Sequence, residues 1–219
     1  MQGQLTADHG GTLAIGRNSL TEVTLPADDA ATTVDTNTQP KSSIRLSGKD
    51  VSVLGGAQLL AAGGNIELRA ASNPEVDPTQ YSSTPDDSRL FIDDHALIDV
   101  SGAIASAPIE NNVIRVELRG SQLQDSPLQR DGPLRSQAVF VDIRRSGSRA
   151  DGSAWQGTPL ADVSGDISNI KRNVLERNLA GGNIDLQSQG SVLISRAATL
   201  DVSGGRIDWQ SGYINTSKL

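Results

Sequence analysis

The chain has 219 residues, a formal net charge of −7, no cysteine and only 3% aromatic residues. This acidic balance, with no dense run of Lys and Arg, argues against nucleic acid and anionic membrane surfaces as partners. The absence of cysteine excludes disulfides, thiolate metal sites and cysteine nucleophiles, and no apolar run approaches the ~18 residues that a membrane-spanning helix needs.

Short strands separated by tight turns are predicted along the chain, because Val, Ile and Leu alternate with polar residues between Gly, Asn, Asp and Ser. The pattern begins at Gly11–Ile15 and returns at Ile44–Gly48 and Lys49–Val53. The phrase Gly63–Leu68 is repeated almost letter for letter at Gly181–Leu186. A unit of about 20 residues holds two or three strands and cannot bury its inner side chains alone, so it must stack on neighbouring copies.

The tetrapeptide Asp-Val-Ser-Gly occurs at residues 99–102, 162–165 and 201–204. Its Asp or Ser side chain is predicted to bond backbone N–H groups at a corner, and its Gly to adopt the left-handed conformation. Stacked units of this kind predict an all-β fold, a parallel β-helix with aliphatic columns inside. Four residues of the last copy are predicted to point inward: Val192, Ile194, Leu200 and Val202.

Irregular spacing between the copies predicts that parts of the chain leave the coil as loop insertions. These are residues 28–41, 73–87 and 121–159. The third contains the run Ala138–Ile143, which predicts a returning strand. One helical insert is predicted over residues 168–180, with Ser168 as N-cap and Gly181 as the terminating glycine. Apart from these insertions, residues 1–219 are predicted to form a single β-helix segment.

The run from Asn183 to Leu219 resembles the shaft of filamentous haemagglutinin-like large exoproteins, which are passengers of two-partner secretion. The resemblance is carried by Gly-Asn-Ile-x-Leu, a Gly-bounded Val-x-Ile strand and Leu-Asp-Val-Ser-Gly-Gly. Residues 63–68 and 97–102 match more weakly. Because no secretory signal opens the sequence, the chain is predicted to be an internal segment of a longer protein.

This resemblance implies a right-handed parallel β-helix. It also implies export by an outer-membrane two-partner secretion transporter, and localisation as a secreted or cell-surface protein associated with the bacterial outer membrane. The function it implies is a structural or adhesive shaft, or the stalk of a contact-dependent toxin. The partner implied for adhesion is a receptor or glycan on a host or bacterial cell.

The alternative hypothesis is a carbohydrate-active parallel β-helix enzyme, either a polysaccharide lyase or a hydrolase. The acidic runs Asp86-Asp87 and Asp93-Asp94-His95 could supply a general acid and base, or ligands for calcium. Adjacent side chains on a strand point to opposite faces, which favours solvated strand edges and a turn instead. His9 and His95 lack zinc-motif spacing. We therefore predict no enzyme activity, no catalytic residue, no metal site and no cofactor.

A basic cluster in the third insertion is a candidate contact for an acidic glycan. It consists of Arg144, Arg145 and Arg149. The competing interpretation is a surface loop whose charge is balanced by its own Asp142 and Asp151.

Overall fold

The computed structural model describes residues 2–6, 11–26, 33–34, 40–74, 79 and 85–217. About 41% of the structure is strand and 10% is helix, so the predicted all-β class is confirmed. The chain divides into two compact units. Unit 1 consists of Met1–Asp29, Gln39–Ala105 and Val174–Arg206, and unit 2 of Ala30–Thr38, Ser106–Asn173 and Ile207–Leu219.

Among the described residues, unit 1 contains three four-stranded sheets in which every pair of neighbouring strands is parallel. The first sheet is formed by β1 (Gln2–Thr6), β5 (Ser43–Gly48), β8 (Asn65–Ala70) and β17 (Asn183–Ser188). The second is formed by β2 (Thr12–Ile15), β6 (Asp50–Val53), β9 (Arg89–Ile92) and β18 (Ser191–Ile194). The third is formed by β3 (Leu20–Glu22), β7 (Gln58–Leu60), β10 (Leu97–Asp99) and β19 (Thr199–Asp201).

The repeated phrases of the sequence lie in neighbouring strands of these sheets. Strand β8 pairs with β17 so that Asn65 faces Asn183, and with β5 so that Asn65 faces Ser43. The resulting columns of aligned aliphatic residues are Ile44–Ile66–Ile184 and Leu46–Leu68–Leu186. The predicted stacking of the copies is therefore present in the paired strands.

The core of unit 1 follows from the two-residue alternation of its strands. In β8 the side chains of Ile66, Leu68 and Ala70 are fully buried, and the residues between them are partly exposed. Such alternation arises because successive side chains point to opposite faces of a strand. The core contains aliphatic side chains and no aromatic one among the described residues.

The residues predicted to point inward in the last copy align with buried residues of the previous copy where strand register is defined, but none of the four is buried. Val192, Ile194, Leu200 and Val202 are 40%, 46%, 40% and 55% exposed. Strand β18 does align Ile194 with the buried Ile92, so this residue occupies the expected column. However, β17, β18 and β19 are edge strands of their sheets, and no described strand covers their free sides.

Three of the four corners between the second and third sheets place one residue in the left-handed conformation, the exception being the turn between β18 and β19. These residues are Asn18, Gly56 and His95, with φ values of 55°, 74° and 61°. Asn tolerates this conformation well and Gly carries no penalty there. Asn18 and Gly56 are therefore residue types suited to this position, whereas His95 is an unexpected residue there.

The Asp-Val-Ser-Gly phrases form the predicted side-chain turn. Asp99 Oδ1 accepts a hydrogen bond from the Ser101 amide at 2.7 Å, and Asp201 Oδ1 accepts one from the Ser203 amide at 2.8 Å. The left-handed role predicted for the glycine is wrong, because Gly102 is not among the positive-φ residues. A Cβ on Gly102 would instead collide with the Leu179 carbonyl oxygen.

The chain leaves unit 1 for residues 106–173 of unit 2 and then returns, and backbone hydrogen bonds join the segments of unit 1 on either side of this excursion. Before that departure, the Ala103 amide donates to the Asn178 carbonyl oxygen at 2.7 Å. Beyond the return, the Gly205 amide donates to the Leu179 carbonyl oxygen at 2.7 Å. The two ends of the excursion are therefore fastened side by side within unit 1.

Unit 2 has its own hydrophobic core. Its buried members are Val116, Leu118, Leu123, Val139, Val141, Ala161 and Val163. The predicted returning strand is confirmed as β13 (Ala138–Asp142), which pairs antiparallel with β12 (Val113–Glu117). The excursion is thus longer than the predicted insertion at 121–159, because its first strand precedes residue 121.

The remaining elements are short. The two-stranded pairs are β14 (Ser146–Ser148) with β15 (Ala154–Gln156), β16 (Lys171–Arg172) with β4 (Thr33–Val34), and β11 (Ile104–Pro108) with β20 (Arg206–Gln210). The helices are α1 (Pro127–Arg130), α2 (Ser164–Ser168) and α3 (Val174–Arg177), with a 3₁₀ turn at Ile109–Asn112. No helix in the described ranges is long and apolar enough to cross a bilayer.

The single helix predicted over residues 168–180 is wrong. Ser168 is the last residue of α2, where its hydroxyl donates to the Gly165 carbonyl oxygen at 2.8 Å, and it does not cap a following helix. The antiparallel pairing of β16 with β4 interrupts the helical pattern. Gly181 lies against the Val202 carbonyl oxygen, which leaves no room for a Cβ.

Most of the predicted insertions at 28–41 and 73–87 lies outside the described residues.

Candidate functional site

The first acidic run, Asp86-Asp87, fastens the base of the insertion predicted at 73–87. The Asp86 carboxylate accepts hydrogen bonds from the Ser72 amide and hydroxyl at 3.1 and 2.7 Å, and from the Ser88 amide at 2.9 Å. Asp87 faces a different partner, the Lys49 Nζ at 2.8 Å. The two carboxylates thus act separately, although neither lies in a strand, because β9 begins at Arg89.

The Asp86 carboxyl has a pKa of about 2, below its ordinary 3.8. Burial raises this pKa, but the hydrogen bonds from Ser72 and Ser88 together lower it by more. Such bonds favour the ionised form, so this carboxylate is a structural clamp rather than a proton donor near neutral pH.

We expect this clamp to make stability depend on pH. Because the folded-state pKa of Asp86 is depressed, its contribution is present above pH ~4 and is lost as the pH falls towards 2. After allowance for solvent screening the contribution is about 1 kcal/mol. Urea unfolding between pH 2 and pH 6 should therefore show a smaller pH dependence in Asp86→Asn than in the parent protein.

Asp125→Asn is the matched control, because Asp125 is exposed and makes no hydrogen bond to a described residue. Equal pH dependence in the parent and in Asp86→Asn would contradict the clamp.

The second acidic run forms a corner between β9 and β10. Asp93 Oδ2 accepts from the Gly55 amide of the adjacent corner at 3.1 Å and from Arg17 Nη2 of the corner beyond it at 3.2 Å. Asp94 Oδ1 accepts from the Ala197 amide at 3.4 Å. His95 is the left-handed residue of this turn. The predicted turn is confirmed, and these side chains hold stacked corners together.

No cluster of three or more His, Cys, Asp or Glu residues suited to a metal ion occurs in the part of the chain that the structure describes. His9 lies outside the described residues.

The three arginines of the basic cluster do not act together, because each has a different set of contacts. Arg144 grips Asp142 with two side-chain bonds, Nε to Oδ1 at 3.0 Å and Nη2 to Oδ2 at 2.7 Å. The bonds from Arg144 lower the pKa of the Asp142 carboxyl, which is 7% exposed. Arg149 donates to the Pro159 and Ala154 carbonyl oxygens, both at 3.2 Å. The predicted balance between Asp142 and the cluster is confirmed for Arg144.

Arg145 differs from its two neighbours because only its backbone is held. Its amide donates to the Asp142 carbonyl oxygen at 3.1 Å, and its carbonyl oxygen accepts from the Gly157 amide at 2.7 Å. Its guanidinium makes no hydrogen bond or ion pair to a described residue. The main chain thus fixes where this exposed cation emerges, while its five donors remain available.

A tryptophan stands beside this cation at the boundary of two cavities of unit 2. Trp155 lies on β15 opposite Gly147 of β14, and a Cβ on Gly147 would lie only 2.7 Å from Trp155 Cζ2. The indole therefore packs over the bare glycine backbone and is half-buried. Because no side chain at 147 competes for this space, the hairpin holds the ring in position.

The smaller cavity, which we call the Trp155 pocket, has a volume of about 340 Å³. Its lining includes Phe140, Arg145, Trp155, Thr158, Leu160 and Ser217. One wall is pinned because the Ser217 hydroxyl accepts from the Phe140 amide and the Ser217 amide donates to the Phe140 carbonyl oxygen, both at 3.0 Å. The larger cavity, about 840 Å³, shares Trp155 and includes Asp125, Asp151, Asp162 and Arg149.

Sequence reasoning identified Arg145 as a candidate but missed Trp155 and Phe140. The available signal was compositional, since the chain has only two Trp and two Phe and one of each lines the same pocket. Their proximity depends on two separate hairpins, which no spacing in the sequence reveals.

Comparison of the chain with protein-family models, with curated proteins and with solved structures finds no match.

Proposed function

We propose that the chain is a right-handed parallel β-helix that serves as a structural and adhesive shaft segment of a secreted bacterial surface exoprotein, similar to filamentous haemagglutinin. The observation that carries this proposal is the pairing of repeated phrases in register. The chain visits three parallel sheets in the same order four times, and the strands that share the Gly-Gly-Asn-Ile phrase are direct neighbours.

The physical character of unit 1 supports a shaft. Successive copies are joined mainly by parallel strand pairs, aliphatic columns and corner hydrogen bonds, with added side-chain contacts such as Arg45–Glu67 and Asn65–Asn183. Such repetition extends without a change of design, because each copy needs only its neighbours for burial. The acidic runs reinforce corners and loops, which suits a rigid spacer better than the alternative enzyme.

Adhesion requires a surface that recognises something, and unit 2 offers one. Its Trp155 pocket combines the exposed aromatic area of Phe140 with the guanidinium of Arg145, which is hydrogen-bonded to no described residue. In this proposal unit 1 gives length and rigidity and unit 2 carries recognition. Export would use an outer-membrane two-partner secretion transporter, and the protein would reside at the cell surface.

Surface labelling of the source bacterium tests this proposal. Antibodies against the purified chain should label intact cells, and protease added to intact cells should remove the signal. Disrupting the cognate outer-membrane transporter should abolish labelling, and restoring its gene should bring it back. A cytoplasmic marker that stays protected serves as the control. Antigen that remains inside intact cells would overturn the proposal.

The fold component has its own test. A crystal structure of the purified chain should show one continuous right-handed coil through the three sheets of unit 1. A circular dichroism spectrum dominated by helix would contradict the β-helix directly.

A further inference from the structure

The Trp155 pocket has a chemistry that none of the preceding functions specifies. We infer that it binds a single sugar residue that carries a carboxylate, of the uronic or sialic acid class. This inference rests on the proposed adhesive function and names the chemistry of its ligand.

The charge of the pocket favours an anion. Asp142 lies in its wall, but the two bonds from Arg144 neutralise that carboxylate. Arg145 then adds a second positive charge, whose guanidinium is hydrogen-bonded to no described residue although it contributes to the field that lowers the pKa of Asp142. A guanidinium presents its N–H donors as a planar fork that matches the two oxygens of a carboxylate. Because the backbone of Arg145 is held at both its amide and its carbonyl, part of the ordering cost of binding is already met.

The walls of the pocket favour a sugar as the carrier of that carboxylate. Trp155 and Phe140 supply aromatic surface, and Phe140 is 47% exposed. Aromatic rings combine a large apolar area with few rotatable bonds, which suits the apolar face of a pyranose. A volume of about 340 Å³ lies at the small end of ligand pockets and suits one ring rather than a chain.

A buried hydroxyl supplies a directional contact. Thr158 is only 5% exposed and lines the pocket. Its Oγ1 accepts from the Leu160 amide at 3.3 Å, and its hydroxyl hydrogen has no acceptor among the described residues. The hydroxyl can therefore donate to a ligand oxygen in the pocket while it keeps its bond from Leu160.

The larger cavity restricts which anions fit. Hydrogen bonds from Ser153 and Ser164 lower the pKa values of Asp151 and Asp162. Both are therefore ionised at neutral pH, and the guanidinium of Arg149 is already occupied by carbonyl oxygens. A second anionic group placed there would be repelled. The pocket thus fits an isolated acidic sugar next to neutral ones, and disfavours polyanions such as heparin.

Tryptophan fluorescence can report binding in the full chain. Trp209→Phe removes the other tryptophan, which lies on β20, so that Trp155 becomes the sole emitter. The probes are N-acetylneuraminic acid, glucuronic acid, methyl glucoside and heparin. We expect saturable changes in Trp155 emission with the two acids and none with methyl glucoside, with heparin no tighter per site than the monosaccharides.

Paired variants assign the effect. Arg145→Gln should weaken binding of both acids about tenfold or more, because the charge-assisted bonds are lost. Arg196→Gln removes the same charge from an exposed turn between β18 and β19 and should leave binding unchanged. Arg145→Lys should restore only part of the affinity, because Lys lacks the planar fork. Circular dichroism and thermal melting confirm that each variant is folded.

The outcomes separate this inference from the proposed function. Equal binding by Arg145→Gln and the parent, equal response to methyl glucoside, or no response to either acid overturns the acidic-sugar pocket even if the protein is surface-exposed. Selective binding lost in Arg145→Gln supports the pocket even if surface labelling fails, in which case only the shaft proposal falls.

Discussion

Ile92→Asp is expected to unfold unit 1 at neutral pH, whereas Ile194→Asp, in the same column, should be tolerated. Ile92 is fully buried, and β9 lies between β6 and β18. An aspartate there would bury an unpaired charge, at a cost of roughly 4 kcal/mol or more. Ile194 is 46% exposed on an edge strand, so its carboxylate would keep contact with water and the loss should be about 1 kcal/mol.

Urea unfolding followed by circular dichroism measures the difference. Ile92→Val, which only shortens the side chain, should cost about 1 kcal/mol and controls for lost packing. If Ile92→Asp and Ile194→Asp were equally destabilised, the edge position of β18 would be incorrect.

Gly182→Ala is the second change for which we expect a large loss of stability. Gly182 precedes β17, and a Cβ there would collide with the carbonyl group of Gly64, the matching glycine of the previous copy. Because the obstruction is backbone, relief requires separating the first residues of β8 and β17. We expect a loss of about 3 kcal/mol.

Gly204→Ala is the matched control, since the nearest heavy atom to a Cβ at that position is the Leu179 carbonyl oxygen at 3.8 Å. Its free energy of unfolding should change by less than about 1 kcal/mol. Similar melting temperatures for both variants would mean that adjacent copies do not approach closely at this glycine.

The repeated glycines correctly locate the paired strands, but the left-handed conformation does not explain why glycine is needed at most of these positions. The duplication of Gly63-Gly64 at Gly181-Gly182 correctly predicts that the flanking strands are related, and they pair in register. Of these residues, only Gly63 has positive φ. At Gly64 and Gly182 the requirement is close approach between copies, which depends on a contact that a single copy does not reveal.

The Asp-Val-Ser-Gly phrase determines a local turn but not the structure around that turn. Asp162-Val163-Ser164-Gly165 makes the same side-chain turn as the other copies, with Asp162 Oδ1 accepting from the Ser164 amide at 3.0 Å. Yet it lies in unit 2 and leads into α2, not between parallel strands. The phrase specifies a local turn, and only its neighbours decide the structure that follows.

The failed helix and the missed pocket have a common origin in long-range pairing. The stripe of Ile170, Val174 and Leu179 fits a helix locally, but Lys171 pairs with Val34 across more than a hundred residues. In the same way, Arg145 and Trp155 belong to a hairpin whose value depends on Phe140 of another strand. Local propensity is a weak guide where such pairings decide the outcome.

The fastening at Ala103 and Asn178 bears on how this molecule could vary over generations or be re-engineered. Since the departing and returning chains are joined by a hydrogen bond of 2.7 Å, whatever sequence lies between them meets a junction of fixed width. Excision, replacement or lengthening of that sequence then costs little in chain entropy, because closure grows only slowly with loop length. A junction of this kind would allow the sequence between Ala103 and Asn178 to change while the stacked strands of unit 1 stay unaltered.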